Sequence, residues 1–183
     1  MAITRLNTNA FGTSVNLASN VTGTLPTANG GTGATSFSPG KVLQVVQATD
    51  NTTFTSTSSS YAASGDIISI TPSATSSKIL IFFSYNVWRG GHNGNVFGKI
   101  YRDINGGGYS EIESSARGLH QTNGYVSSTP ILQKCSMTYL DTPSTTSQVN
   151  YQSYFRNEST SNTFEVGEGG GHLTAMQVME IAG

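Results

Sequence analysis

Charge is what this 183-residue sequence has least of: only 10% of its residues are Asp, Glu, Lys or Arg, and the formal net charge is −1. Soluble domains ordinarily carry about 25%. The nine basic residues are scattered and no two are adjacent, so the clustered Lys and Arg that displace counterions from a nucleic-acid backbone are excluded. One cysteine, Cys135, excludes an intrachain disulfide and a four-cysteine zinc site. Within "LQKCSMTYL" it reads as a buried apolar thiol on a strand rather than as a nucleophile. Long apolar runs are missing as well. "KILIFF" is the most apolar stretch and is only strand-length, short of the ~18 residues that span a membrane. "MAITRLNTNAFG" lacks the apolar segment of a signal peptide. The expectation is synthesis in a cytoplasm, without membrane insertion or export by a standard route.

In place of charge the chain carries Ser, Thr, Asn and Gly, which together make up close to half of it. That composition is polar without being ionic and suits short strands, many turns and a surface of hydroxyls and amides. Disorder normally goes with high net charge and few aromatics, whereas this chain has eight Tyr, eight Phe and one Trp. Apart from Phe11 and Phe37, all of them lie beyond residue 40. A hydrophobic core is therefore expected in residues 41–183, preceded by an extended Gly/Thr/Asn-rich region, residues 1–40.

From Lys41 onward, strand signals recur every ten to fifteen residues between Gly, Asn, Ser and Pro clusters. "KVLQVVQAT" is followed by a long Ser/Thr loop, then "DIISITP", "KILIFFSYNVW" and "VFGKIYRD". "INGGG" turns the chain back into "YSEIES" as a hairpin by its Asn-Gly signal. "ILQKCSMTYLD", "QVNYQSYFRN", "TFEVGE" and, after the hinge-like "GEGGGH", "LTAMQVMEIAG" complete the set. No helix is predicted, and no repeat of propeller-blade length is present. The fold class expected is all-β: an antiparallel, jelly-roll-like β-sandwich.

Some of these strands are apolar on both faces. Ile79, Ile81, Phe83, Tyr85 and Val87 share one face of the third strand, while Leu80, Phe82 and Trp88 share the other. In the last strand Leu173, Ala175, Met179 and Ile181 oppose Met176 and Val178. A free-standing sandwich leaves one face of each sheet to water. Two apolar faces imply a second buried surface, most economically a subunit interface.

Catalytic signatures are absent. His92, His120 and His172 are isolated from one another, and no calcium-loop pattern of acids exists; His92 or His172 could build a metal site only by meeting symmetry mates on a threefold axis. Glu111 and Glu113 share a strand face beside a turn, and Glu165 and Glu168 flank a Gly run, but neither pair suggests the opposed carboxylates of a glycosidase. "GxSxG" is missing, and "GEGGGH" lacks the lysine of a phosphate loop. No enzyme activity, cofactor or metal is expected. Carbohydrate recognition, which combines aromatic faces with amides and hydroxyls, has candidates in Trp88, Arg89, His92 and Asn93 of one loop, with Tyr109 and Tyr125 on neighbouring loops.

The remaining puzzle is "VTGTLPTANGGTGATSF", residues 21–37. Ordering each residue costs roughly 1–2 kcal/mol of backbone entropy. Leu17, Val21, Leu25, Ala28 and Phe37, in an anchor that also includes Pro26, bury too little area at ~25 cal/mol/Å² to offset it within one chain. Around a symmetry axis each apolar side chain meets its mates, and Gly30, Gly31 and Gly33 allow close backbone approach after the turn signal at Asn29.

"LASNVTGTLPTANGGTGATSF" resembles a segment of the form VTGTLPxANGGTG in bacteriophage tail fibres and other virion appendages. The later succession of strand segments is similar, more loosely, to the end-domains of such appendages and to trimeric, tumour-necrosis-factor-like jelly rolls. The resemblance implies a homotrimeric virion structural protein, assembled in the host cytoplasm. Residues 1–40 would anchor it to another virion protein, and the head would present a surface to host glycans. The alternative it leaves open is a capsid decoration or cement protein.

Overall fold

The computed structural model describes residues 41–90, 94–122, 130–160, 162–167 and 172–183. All of them belong to the unit Gly40–Gly183. The anchor residues Leu17, Val21, Leu25, Pro26, Asn29, Gly30, Gly31, Gly33 and Phe37 lie outside the described residues, as do His92, Asn93, Tyr125 and the Gly run of "GEGGGH".

The described chain is all strand and loop, as its period-two alternation predicts. In order the strands are β1 (Val42–Asp50), β2 (Phe54–Ser56), β3 (Ala62–Ile70), β4 (Lys78–Arg89), β5 (Val96–Ile104), β6 (Ser110–Glu111), β7 (His120–Gln121), β8 (Ile131–Asp141), β9 (Val149–Asn157), β10 (Phe164–Val166) and β11 (Thr174–Ile181). β2 lies inside the stretch expected to be a Ser/Thr loop, where Phe54 packs on Phe164 with ring centroids 6.0 Å apart. One buried aromatic is enough to draw those three residues onto the edge of β10. β3 starts at Ala62, earlier than "DIISITP", because a bulge at Gly65 (φ +100°) lets Ala62 and Ala63 rejoin β9. β7 had no signal in the sequence; two residues pair with Phe97 and Gly98 of β5.

Every pairing is antiparallel, and the strands form two sheets. In sheet 1, β4 is central: β8 lies along one side over its whole length, and β11 and β10 share the other. β1 pairs with β11, and β2 with β10. In sheet 2 the order is β3, β9, β5, with β6 and β7 both on the outer side of β5. Reading β1/β2, β6/β7 and β10/β11 as interrupted strands gives two four-stranded sheets, the jelly-roll arrangement expected.

Between the sheets lie Ile79, Ile81, Phe83, Tyr85 and Val87 of β4, each at most 1% exposed, with Met176 and Val178 of β11. Ile68, Ile70, Ile100, Val149, Tyr151 and Phe155 face them from sheet 2. Full burial of each such aliphatic or aromatic side chain contributes roughly 1.5–3 kcal/mol. Gly98 belongs to this interior: a Cβ there would meet the Phe155 ring at 2.9 Å and Met137 Sδ at 3.1 Å. An ion pair between the buried Asp141 and the partly exposed Arg102 also crosses the sandwich. Arg102 Nη1 donates to both oxygens of Asp141, at 2.9 and 3.0 Å, and the Tyr151 hydroxyl donates to the same carboxylate at 2.7 Å.

The sandwich has two distinct ends. At one, Ala182 N–H donates to Lys41 C=O at 2.9 Å, so the first and last described strands begin and finish together. The β3–β4 loop folds onto the same end: Ser73 N–H, Ser73 Oγ and Ser77 Oγ donate to Glu180 Oε1, and Gln44 Nε2 donates to Oε2. Burial alone would raise the pKa of this carboxyl, but those hydrogen bonds to its ionised form outweigh it and hold it at about 2. The Asn105-Gly106 turn lies at this end too, with φ of 53° and 77° as a two-residue hairpin turn requires. Arg89, Val96, His120 and Asn157 mark the other end, from which the β4–β5, β7–β8 and β9–β10 connections leave.

Candidate functional site

Two outer surfaces carry the chemistry of the described residues, one on each sheet. On sheet 1, residues from four strands align in cross-strand rows. Val45, Met179, Leu80 and Leu140 form one row; Gln47, Gln177, Phe82 and Thr138 the next; Thr49, Ala175, Ser84 and Ser136 the third. None of these side chains is ionisable. Val45 is 57% exposed, Leu140 47% and Phe82 36%. Gln177 Nε2 donates to Gln47 Oε1 at 2.7 Å, so two amides satisfy each other within the face. The small side chains of Ser84, Ser136 and Ala175 leave a depression of about 220 Å³ beside Phe82. Charge returns only at the margins, with Lys78 near the termini and Lys134 and Glu165 toward the other end.

Sheet 2 presents the opposite chemistry. Phe97, Lys99 and Tyr101 of β5 alternate outward, as do Gln152, Tyr154 and Arg156 of β9. Tyr101 and Tyr154 stack with centroids 4.0 Å apart, and Tyr109 tilts against Tyr154 at 6.1 Å. The Arg156 guanidinium lies 4.2 Å from the Phe97 ring centre and 5.3 Å from that of Tyr61. Lys99, only 3% exposed, pairs with Glu111 at 2.8 Å and Glu113 at 3.5 Å. Burial alone would lower its pKa, but the two glutamates outweigh this and raise it. The Tyr101 hydroxyl donates to Glu111 Oε1 at 2.8 Å; burial, reinforced by this carboxylate, pushes the phenol pKa upward.

Of the residues expected to face a receptor, the three that are described, Trp88, Arg89 and Tyr109, do not converge. Trp88 and Arg89 close β4 at the end away from Lys41. Trp88 sits half-buried on the outer side of sheet 1, its ring folded over Gly90, where a Cβ would meet it at 3.0 Å. Arg89 points inward and is buried, donating from Nη1 to the Gly94 carbonyl. Tyr109 follows the turn at the far end of β5, and its ring leans on sheet 2. The nine residues of β5 separate it from the Trp88 end. Tyr61, Phe97, Tyr101, Tyr154 and Arg156 were overlooked as a group. Their signal was alternation: every second residue of "VFGKIYRD" and "QSYFRN" is aromatic, basic or an amide on one face.

Cys135 is half-buried, and burial pushes its thiol up to about 11, so it stays protonated at neutral pH. Burial likewise lowers the pKa of His120 and keeps it neutral. Among the described residues no group of three or more His, Cys, Asp or Glu could hold a metal ion.

No protein-family model matches the chain, and no curated protein matches it. Among solved structures it is similar to the infectious bursal disease virus VP2 subviral particle, with a TM-score of 0.36 and 15% identity over 75% of this chain and 39% of that one. It is also similar to structures of two strains of the same virus: Gt (TM-score 0.33, 15% identity, 93% and 47% coverage) and Gx (0.33, 13%, 77% and 37%). The chain spans less than half the length of each of these chains.

Proposed function

We propose that the protein is a non-enzymatic virion structural protein, a homotrimer whose residues 1–40 attach to another virion protein and whose β-sandwich head is turned to the host surface. One observation supports the reading above the others: the uncharged outer face of sheet 1, with the apolar row Val45, Met179, Leu80 and Leu140 beside Phe82. Water-facing sheet surfaces are ordinarily polar, and a contiguous apolar patch on a soluble domain marks an interaction site. A face without charge packs against its own copy without like-charge repulsion and without stranding an ion from water. The Gly-rich leader favours the same symmetry, since its few apolar side chains need mates.

The test is the mass of the intact chain in solution by sedimentation equilibrium. A mass of three chains at micromolar concentration is expected; single chains at that concentration reject the reading. Binding of the purified protein to host cells separates attachment from shell decoration, because a decoration protein stabilises capsids and leaves cells unlabelled.

A further inference from the structure

That reading assigns assembly to the outer face of sheet 1 and leaves the outer face of sheet 2 without a role. We propose that it is a binding platform for a neutral, hydroxyl-rich glycan, an inference that rests on the appendage reading only for the source of the ligand.

Four partly exposed tyrosines, Tyr61, Tyr101, Tyr109 and Tyr154, lie on this one face, while the Phe97 ring is buried under the Arg156 guanidinium. Tyr101 and Tyr154 stack across β5 and β9, Tyr109 tilts against Tyr154, and Tyr61 packs against Lys99 and Arg156, which together make a partly exposed aromatic strip. Sugar rings present C–H groups on their faces and hydroxyls on their rims. The C–H groups fit the negative face of an aromatic ring, and the hydroxyls need donors and acceptors at its border. Here the border is supplied. Glu111 is 44% exposed beside the Tyr101 hydroxyl. Asn150 reaches Asp103 at 3.0 Å and accepts from Ser69 Oγ at 2.7 Å. Next to Glu111 a shallow trough opens, lined by Glu113, Ser114, Ser115 and Tyr139.

Charge decides between occupants. Lys99 and Arg156 are offset by Glu111, Glu113 and Asp103, and Lys99 is already committed to two glutamates. A polynucleotide, which binds stacking platforms inside a positive groove, would meet the exposed Glu111 carboxylate, while Glu113 and Asp103 are largely buried. A protein partner would bury Glu111 against side chains at a desolvation cost. A hydroxyl-rich ligand can hydrogen-bond to it instead. Among the described residues Ile67 is the one large exposed aliphatic side chain on this face, whereas sheet 1 exposes Val45, Leu132 and Leu140.

Native gel electrophoresis of the intact chain through matrices containing dextran, xylan, mannan or laminarin tests the proposal. Slowed migration in at least one matrix is expected, with apparent affinity falling at least tenfold in Tyr101→Ala and Tyr109→Ala and kept in Tyr154→Phe. In the unaltered chain the retarding polysaccharide should also shield Tyr101, Tyr109 and Tyr154 from nitration. Unchanged migration in all four matrices overturns the proposal, as does retardation that the substitutions leave intact. Retardation only by single-stranded oligothymidylate overturns it too. If the alanine variants lose stability while the unaltered chain binds nothing, the rings are a cross-strand brace alone. The same samples report assembly: a three-chain mass without glycan binding rejects this proposal only, and binding by single chains rejects the trimer only.

Discussion

The two outer faces of the sandwich belong to strands with the same alternation, yet they offer opposite surfaces. Sheet 1 turns out Val45, Leu80, Phe82, Leu140 and Met179 among amides and small hydroxyls. Sheet 2 turns out tyrosines, an arginine and a lysine held by glutamates. Both escape the usual polar exterior, in different directions. An aliphatic face can only exclude water, so it suits a large, dry, self-complementary contact. An aromatic face fringed with hydrogen-bonding groups stays compatible with water and suits a small, wet ligand. On the proposed reading, one fold would separate assembly from recognition by using both sides of a two-layer structure.

The largest expected effect comes from placing charge in the aliphatic face. Leu80→Glu should reduce the sedimenting mass from three chains to one while the far-ultraviolet spectrum keeps its β signature. A trimer that persists would mean the faces do not differ in role. Loosening the sandwich should instead impair both faces at once. Asp141→Asn deprives the partly exposed Arg102 of its counter-charge, and losing a charge-assisted hydrogen bond costs about 1.5–3 kcal/mol, so urea unfolding should show a lower midpoint with assembly and any ligand binding weakened together.

Titration should reach the two faces from opposite directions. Glu180 ionises at about 2 when folded, below the ~4.5 of an unfolded glutamate. Its stabilisation is complete above pH 4.5 and disappears as pH falls toward 2, a loss on the order of 3 kcal/mol. The termini end of sheet 1 should therefore show faster amide exchange at pH 2 than at pH 5, and equal rates would refute the assignment. Lys99 has the reverse sign. Its folded pKa is raised, so its contribution is complete below the unfolded value near 10.5 and fades as pH climbs past it. Alkali should loosen β5 and β6 before β1 and β11. The smallest effect belongs to Tyr101→Phe, which removes one partly exposed hydrogen bond to Glu111 and should cost about 0.5–1.5 kcal/mol, with sedimenting mass unchanged.

Much of the fold was legible along the chain. The inward set of β4 could be read from period two alone, as could the hairpin at Asn105-Gly106, because alternation and turn chemistry are local properties. β2 and β7 were not legible: two or three residues carry no period, and they become strands only because β10 and β5 offer free edges. The scattered receptor candidates show the same limit. Trp88 and Tyr109 look like neighbours in a list of aromatics near loops, but nine residues of extended chain carry them to opposite ends of β5.

What the sequence determined by itself was class and polarity. Low charge, Ser/Thr/Asn/Gly richness and alternation require short strands with one face buried, and the doubled apolar faces of β4 and β11 foretold an outer surface unsuited to water. Only the tertiary structure decided which residues share those surfaces. Strand order and register are set by packing between segments distant in sequence; they placed Val45 in line with Met179, Leu80 and Leu140, and stacked Tyr101 on Tyr154. No local rule joins residues a hundred positions apart, and it is their adjacency that turns ordinary side chains into two faces.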